Sequence, residues 1–178
     1  MGILGYKNIS KGLFKRPFLF ANAMIVIRNG EKKDLPRVLE LIIELAEFER
    51  ASEEVTNTVS RLEEDGFGRN PVFGFFVAEE DEVIHGIALY YYRYSTWKGK
   101  RLYLEDIIVT QGHRGKGIGK MLFEEVMKRT LREHCTGMMW QVLGWNKPAI
   151  EFYKKYNARF DNEWINCHLE AEQIKAYL

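Results

Sequence analysis

A glycine-rich segment at residues 112–119 carries the residue types best suited to holding a phosphate group. Gly115, Gly117 and Gly119 alternate with other residues, and the segment joins an apolar run to an amphipathic one. Glycines leave backbone N–H groups unobstructed, and the first turn of a helix adds a partial positive charge. A strand, this loop and a helix in succession therefore predict a site for a pyrophosphate group.

The spacing of these glycines excludes two common phosphate-binding motifs. A P-loop needs a glycine where Arg114 stands and a serine or threonine where Met121 stands. A dinucleotide-binding loop needs a third glycine at the position of Lys120. The pattern that remains is R-x-x-G-x-G, and the predicted pyrophosphate site consists of Arg114, Gly115, Lys116, Gly117, Ile118, Gly119 and Lys120.

The elements that must position this loop form a mixed α/β pattern without internal repeats. Apolar residues recur every three to four positions in some segments and alternate or run continuously in others. Asp34 followed by Pro36 is typical of a helix start. Helices are predicted over 35–50, 59–65, 147–156 and after the glycine loop, and strands over 24–28, 72–79, 83–93, 102–110, 138–143 and 164–169.

The chain is long enough to form one domain with its own core. It has 178 residues, of which 46% are hydrophobic and 13% aromatic. No apolar run reaches the roughly 18 residues that a transmembrane helix needs. Its two cysteines, Cys135 and Cys167, are too few for a disulfide framework and are typical of a reducing compartment. We therefore predict a cytoplasmic protein with no membrane partner.

The first 23 residues differ in composition from the rest. The whole chain has a net charge of +1, but residues 1–23 contain four basic and no acidic residues, which leaves 22 basic and 25 acidic residues in 24–178. A mildly acidic body does not favour nucleic-acid binding. The apolar stretch at 17–20 is shorter than the about 7–15 residues of a signal peptide. We interpret 1–23 as a disordered leader or an alternative start, and 24–178 as a single domain.

The R-x-x-G-x-G pattern at a strand-to-helix junction resembles the acetyl-CoA pyrophosphate loop of the GNAT superfamily of N-acetyltransferases. The order of the predicted elements from Met24 onward is similar to that of the superfamily. So is the placement of Asn146 at the start of a helix with Tyr153 seven residues later. The resemblance implies the acyl-CoA N-acyltransferase fold, in which helices flank a central, mostly antiparallel sheet.

Further segments resemble the diamine (spermidine/spermine) acetyltransferase family over roughly residues 24–170. This family includes polyamine acetyltransferases and relatives that act on thialysine or lysine-like side chains, so the resemblance implies a small cationic amine as acceptor. The segments are Glu44–Glu49, Glu64–Gly68, Tyr90–Tyr92 with Trp97, Leu102–Ile107 and Gly144–Pro148.

The resemblance also implies acetyl-CoA as co-substrate and assigns the residues that hold it. The strand before the glycine loop pairs with pantetheine through its backbone, and one of its N–H groups polarises the thioester carbonyl. The helix start near residue 146 holds the pantetheine arm. Outside the pyrophosphate loop, the implied residues are Ile107, Ile108, Val109, Asn146 and Ala149.

Two residues match catalytic positions of the family. Tyr153 matches the tyrosine that protonates the departing CoA thiolate. Glu105 matches the residue that helps to remove a proton from the ammonium group of the acceptor, and binding of that cation by Glu105 alone is an open alternative. Asp106 faces the other side of a regular strand, so we expect it to be structural.

The predicted acceptor region is acidic. Nine carboxylates and only two arginines lie between Glu40 and Asp65, which favours a cationic ligand or else a solvated helix face. By resemblance, the residues that bind the acceptor are Phe48, Glu49, Glu105, Trp140, Gln141 and Glu163.

The resulting prediction is an N-acetyltransferase in which the amine attacks acetyl-CoA directly. The alternatives are an acetyltransferase for an aminoglycoside, an amino acid or a protein lysine, and a non-catalytic module that binds acetyl-CoA. The resemblance implies a homodimer.

The four histidines, His85, His113, His134 and His168, lack ligand spacing, so we expect no metal. Asn157 is expected to end a helix in the left-handed conformation.

Overall fold

The computed structural model describes residues 24–178, so the leader predicted over 1–23 lies outside the described residues. The chain divides into two compact units, one ending at Met139 and the other comprising Trp140–Leu178. Within the described residues, no helix has both the length and the apolar character needed to cross a membrane. The single domain over 24–178 stays a prediction.

The first unit contains a five-stranded sheet. Its strands lie side by side in chain order, and each of the first three is antiparallel to the next. The last strand is parallel to its neighbour and short. This arrangement confirms the mixed and mostly antiparallel sheet that the sequence predicts. The strands are β1 (Val26–Asn29), β2 (Gly74–Glu80), β3 (Val83–Ser95), β4 (Gly99–Val109) and β5 (Met138–Met139).

Three helices of the first unit bury one apolar stripe each, as their sequence periodicity predicts. They are α1 (Leu35–Glu49), α2 (Val59–Phe67) and α3 (Ile118–Arg132). The inner residues of α1 pack in one core cluster with residues of β2 and β3. Leu122 and Phe123 of α3 are also buried. Burial of these stripes fixes the position of α1 against the sheet.

Asp34 precedes α1 as predicted, but its carboxylate does not cap the helix. It pairs with the guanidinium of Arg28 at 2.7 Å and accepts a hydrogen bond from the Glu31 N–H at 2.8 Å. The same guanidinium pairs with Glu79. These contacts lower the pKa of Asp34, against the opposing and largest effect of its burial. Arg28 therefore joins β1 to β2 and to the start of α1.

Two β-bulges interrupt the sheet next to chemically active side chains. Ala78 pairs with Gly86 and Glu79 pairs with Ile84, so His85 is the extra residue of β3. Leu89 pairs with Asp106 and Tyr90 pairs with Leu104, so Glu105 is the extra residue of β4. A bulge changes the direction in which the following side chains point.

The second unit contains two helices, α4 (Lys147–Lys154) and α5 (Ala171–Lys175). The left-handed conformation predicted for Asn157 is confirmed, with a φ of 55°. The strand predicted over 164–169 is wrong, because this unit contains no strand whose backbone could pair with it, and its residues are exposed. The fifth strand is likewise shorter than the predicted 138–143.

Candidate active site

The glycine loop has the backbone conformation that its sequence predicts. Gly115 and Gly117 have φ angles of 78° and 85°, in the left-handed region that other residues rarely adopt. A Cβ atom at either position would have no heavy atom within 4 Å. The glycines are therefore required by backbone conformation, and the space beside them is open to a ligand.

The loop leads directly into the N-terminus of α3. Gly117 is the N-cap residue, and its carbonyl accepts the N–H of Met121 at 3.1 Å. The N–H groups of the first helical residues have no acceptor within the helix. Together with the exposed Lys116 and Lys120, they form a cationic, donor-rich turn of the kind that binds pyrophosphate. The predicted residues 114–120 thus lie in one continuous turn that fits this group.

Arg114 is held at the beginning of this turn. Its Nε donates to the carbonyl of Val109 at 2.7 Å, and its guanidinium lies 3.6 Å from the Glu44 carboxylate. The guanidinium carbon is 5.2 Å from the ring centroid of Phe48, a cation–π distance. A residue predicted to bind the cofactor and one predicted to bind the acceptor are therefore in contact.

The edge of β4 beside the loop lacks a strand partner. The ladder between β4 and β5 consists of the pairs Leu102–Met138 and Tyr103–Met139. Among the described residues, no strand continues it along Ile107–Val109. Ile108 is buried in the core, which anchors the segment, while backbone groups on the free edge can pair with an extended ligand. This is the geometry that the sequence predicts for pantetheine binding.

Three carboxylates lie near the bulge of β4. Burial and the charges of Glu105 and Glu49 raise the pKa of Asp106 to about 6. The pKa values of Glu49 and Glu105 are also raised, because their carboxylates are partly desolvated. Burial is the largest cause for Asp106, and the charges of both glutamates add to it. The site is therefore acidic and suited to a cation.

The prediction that Asp106 is only structural stays a prediction, although it assumes the alternation of a regular strand. The alternation of side chains holds only for a regular strand, and the bulge at Glu105 interrupts it. Asp106 is thus a candidate site residue that the sequence analysis missed. The adjacent Glu-Asp pair is visible in the sequence, but the bulge depends on the pairing of β4 with β3.

The second unit places Tyr153 in an aromatic cluster. Tyr153 is 5% exposed, and its ring centroid lies 5.0 Å from that of Trp140 and 5.3 Å from that of Phe152. Burial raises the pKa of its phenol to about 12. The hydroxyl therefore stays protonated at every physiological pH, which is the state a proton donor needs.

The remaining predicted residues of this unit lie on its surface or at the start of α4. The Asn146 side chain caps α4 by accepting the N–H of Ala149 at 3.3 Å, so these two predicted residues are together. Gln141 and Glu163 are exposed, and the Glu163 N–H donates to the carboxylate of Asp161 at 3.2 Å.

The prediction that the histidines are scattered is wrong for two of them. The rings of His85 and His113 are stacked, with centroids 3.7 Å apart. Together with Glu80 they form a group that could hold a metal ion. Neither residue belongs to the predicted transfer site.

Comparisons with known proteins identify the family of this chain. Residues 36–158 match the acetyltransferase (GNAT) family. The chain is 39% identical to a thialysine N-ε-acetyltransferase of Bos taurus over 86% of this chain and 96% of that one. It is 37% identical to a human spermidine/spermine N(1)-acetyltransferase-like protein 1, over 74% of this chain and 20% of that protein.

Solved structures show the same fold. An integron cassette protein from V. cholerae superposes with a TM-score of 0.70 at 21% identity, covering 86% of this chain and 96% of that one. An aminoglycoside N-acetyltransferase in complex with CoA superposes with a TM-score of 0.66 at 17% identity, covering 84% of this chain and 96% of that one. The predicted resemblance and fold are confirmed, and this chain belongs to the GNAT family of acetyl-CoA-dependent N-acetyltransferases.

Proposed function

We propose that this enzyme transfers the acetyl group of acetyl-CoA to a primary amine of a small cationic acceptor, of the thialysine or polyamine class. The observation that carries the proposal is the acidic character of the predicted acceptor region: Glu105 and Asp106 lie at the β4 bulge, Glu49 ends α1, and the charges of both glutamates act on Asp106. At pH 7 a carboxyl group with a pKa of about 6 is mostly ionised, so the cluster attracts a cation. The names of the related enzymes support the same acceptor class.

The acceptor must lose a proton before it can react. An alkylamine has a pKa of about 10.4 and is almost fully protonated at pH 7. In the proposed mechanism Glu105 takes or relays that proton, and its raised pKa makes it a better base than an ordinary glutamate. Phe48, Glu49, Trp140, Gln141 and Glu163 are proposed to complete the acceptor site.

Acyl transfer then exchanges one bond for another. The amine nitrogen attacks the thioester carbonyl carbon directly, the C–N bond forms, and the C–S bond breaks. Tyr153 donates its phenolic proton to the departing thiolate, and a backbone N–H among Ile107–Val109 is proposed to stabilise the oxyanion. No acetylated protein side chain is needed. The ammonium gives one proton to Glu105 before the attack, and the nitrogen gives a second proton to the Tyr153 phenolate as the amide forms, which restores the phenol.

The glycine loop and the start of α4 are each proposed to hold a part of acetyl-CoA. The open space beside Gly115 and Gly117 fits the pyrophosphate, and the residues of 114–120 would hold it. The free edge of β4 would pair with pantetheine, with Asn146 and Ala149 holding the arm. We propose no metal for this reaction, because its steps require only proton transfer and carbonyl polarisation.

We also propose a cellular compartment and an oligomeric state for the enzyme. Cys135 and Cys167 are both free thiols, which supports a reducing compartment such as the cytoplasm. Exposed aromatic residues, among them Tyr94 and Trp97, support a homodimer. Neither a nucleic acid nor a membrane is proposed as a partner.

The experiment is a free-thiol release assay with acetyl-CoA and a panel of acceptors: thialysine, lysine, spermidine, spermine, putrescine and an aminoglycoside. Saturable release with thialysine or a polyamine, and little with the aminoglycoside, is the expected result. Release with the aminoglycoside alone would contradict the proposed acceptor class. No release with any acceptor, while acetyl-CoA still raises the melting temperature, would favour a binding module.

A further inference from the structure

The cluster of Glu80, His85 and His113 lies outside the residues proposed for acetyl transfer. Its potential ligand atoms, one from each side chain, all lie within 4.8 Å of one another. The imidazole rings are stacked at an interplanar angle of 18°, and His85 Nε2 lies 3.7 Å from a Glu80 carboxylate oxygen. Three side chains with metal-ligating atoms therefore meet at one point of the first unit.

The backbone brings these residues together from two separate segments. Glu80 ends β2, and His85 is the extra residue of the β3 bulge that follows the turn. His113 ends the short 3-10 turn at Gln111–His113, which follows β4. The Thr110 N–H donates to the His85 carbonyl at 2.8 Å and joins the two segments. The positions of the side chains thus rest on sheet structure and a direct backbone hydrogen bond.

One imidazole nitrogen of the cluster has no hydrogen-bond partner, and a metal ion could take the place of that partner. His113 Nδ1 is buried and has no hydrogen-bond partner, which is costly for a polar atom. His85 is 9% exposed, so its imidazole is also largely shielded from water. An imidazole binds a metal ion in its neutral form.

We propose that Glu80, His85 and His113 form a three-ligand binding site for Zn²⁺. Two imidazoles and a carboxylate are a common zinc ligand set, with a fourth position left for water. An imidazole nitrogen binds a metal ion in the plane of its ring, and two stacked rings cannot both point at one ion. Binding of Zn²⁺ therefore requires one ring to turn about its Cβ–Cγ bond and leave the stack.

The charges around the cluster favour zinc over calcium or magnesium. Arg37 lies beside the cluster, since its Nε donates to the carbonyl of Ile84 at 3.1 Å, and Lys116 follows His113 in the same segment, while Glu80 is the one carboxylate among the three proposed ligands. Hard cations need several oxygen ligands, whereas Zn²⁺ binds well to neutral imidazole. A single carboxylate beside two cationic side chains does not suit the hard cations.

Zinc in this site would fix the position of the segment that leads into the pyrophosphate loop. His113 directly precedes Arg114, the first residue of that loop, and β2–β3 would become joined to it through the ion. Because the ion binds the folded chain, it would also raise the melting temperature. This stabilisation does not depend on acetyl transfer, so its test is separate from that of the proposed function.

The test titrates Zn²⁺ into metal-free protein in competition with a chromophoric chelator and without acetyl-CoA. The expected result is that the wild type binds one equivalent of Zn²⁺. Loss of a group that only supports a ligand costs about 10-fold in metal affinity, so His113→Asn, which removes a ligand itself, should lose at least that much. His113→Asn is used because it is less buried than His85, and Glu80→Gln is the second variant. The matched control is His168→Ala, which removes an exposed histidine beside Cys167 and should bind as the wild type does.

Three outcomes would overturn the proposal. The first is the absence of stoichiometric Zn²⁺ binding to the wild type. The second is unchanged affinity in both His113→Asn and Glu80→Gln, with each variant shown to be folded by its melting temperature. The third is loss of binding in His168→Ala, which would place the ion at Cys167 and His168 instead.

Discussion

The Glu44 carboxylate accepts a hydrogen bond from the Thr110 hydroxyl at 2.8 Å. Its other oxygen accepts the Gln111 N–H, also at 2.8 Å, and lies 3.6 Å from the Arg114 guanidinium. Glu44 belongs to α1, and the three donors belong to the segment between β4 and the glycine loop. One side chain of α1 therefore positions the beginning of the pyrophosphate loop.

Glu44→Gln should weaken acetyl-CoA binding. The amide has one acceptor oxygen instead of two and carries no charge, so it cannot hold both donors and Arg114. Losing a hydrogen bond to a charged group costs about 1.5–3 kcal/mol, so we expect KM for acetyl-CoA to rise about ten-fold with a smaller effect on kcat. Steady-state kinetics measure both constants. Glu47→Gln, an exposed position on the same helix, is the control, and an equal effect of both variants would contradict this role.

Tyr153→Phe should lower turnover by about ten-fold or more while acetyl-CoA binding is retained. The substitution removes the proton donor and keeps the aromatic packing with Trp140 and Phe152. Turnover is measured by thiol release and binding by calorimetry. Tyr156→Phe, which removes a nearby phenol, should leave turnover nearly unchanged. If turnover of Tyr153→Phe equals that of the wild type, Tyr153 is not the acid.

Glu105→Gln should reduce kcat most near neutral pH, by about 100-fold, the lower end of the range for a lost general base. At pH 9–10 a larger share of the amine is already deprotonated, so the loss should shrink there. The pH profiles of the variant and the wild type give this comparison. An equal loss at every pH would show that Glu105 only binds the cation.

Asp106→Asn should stabilise the protein above pH 6. Folding raises the pKa of Asp106 from 3.8 to about 6, so its contribution favours the folded state below pH 4 and is lost as the pH rises through 6. This difference corresponds to at most about 3 kcal/mol at pH 8. Urea unfolding of the variant and the wild type should show that the substitution raises the free energy of unfolding more at pH 8 than at pH 5. Glu53→Gln, at an exposed site, should show no gain, and a pH-independent gain would contradict the assignment.

Gly115→Ala should destabilise the loop by about 1 kcal/mol and weaken acetyl-CoA binding, because alanine is strained in the left-handed conformation. Gly112→Ala is the matched control: a Cβ there also meets nothing within 4 Å, but its φ is not left-handed. Thermal unfolding and acetyl-CoA titration compare the two. If both alanines have the same effect, backbone conformation is not the reason for Gly115.

The order of helices and strands in the first unit was predictable because local periodicity reflects burial. The glycine loop was predictable for a stronger reason: the left-handed φ of Gly115 and Gly117 admits few residues besides glycine, so the residue types themselves indicate the backbone conformation of the loop. The left-handed Asn157 is a similar case. The strand predicted over 164–169 failed because a strand needs a partner, and local alternation does not supply one.

The sequence by itself therefore determined the family, the order of most elements and the pyrophosphate loop, since each depends on neighbouring residues and on their backbone preferences. Only the tertiary structure decided the irregular pairing of β4 beside Asp106, the contact of Glu44 with Thr110, and the meeting of His85 with His113. The first and third depend on bulges, which arise from pairing between strands. The second joins residues 66 positions apart through packing of α1 on the sheet, and no local pattern encodes such a contact.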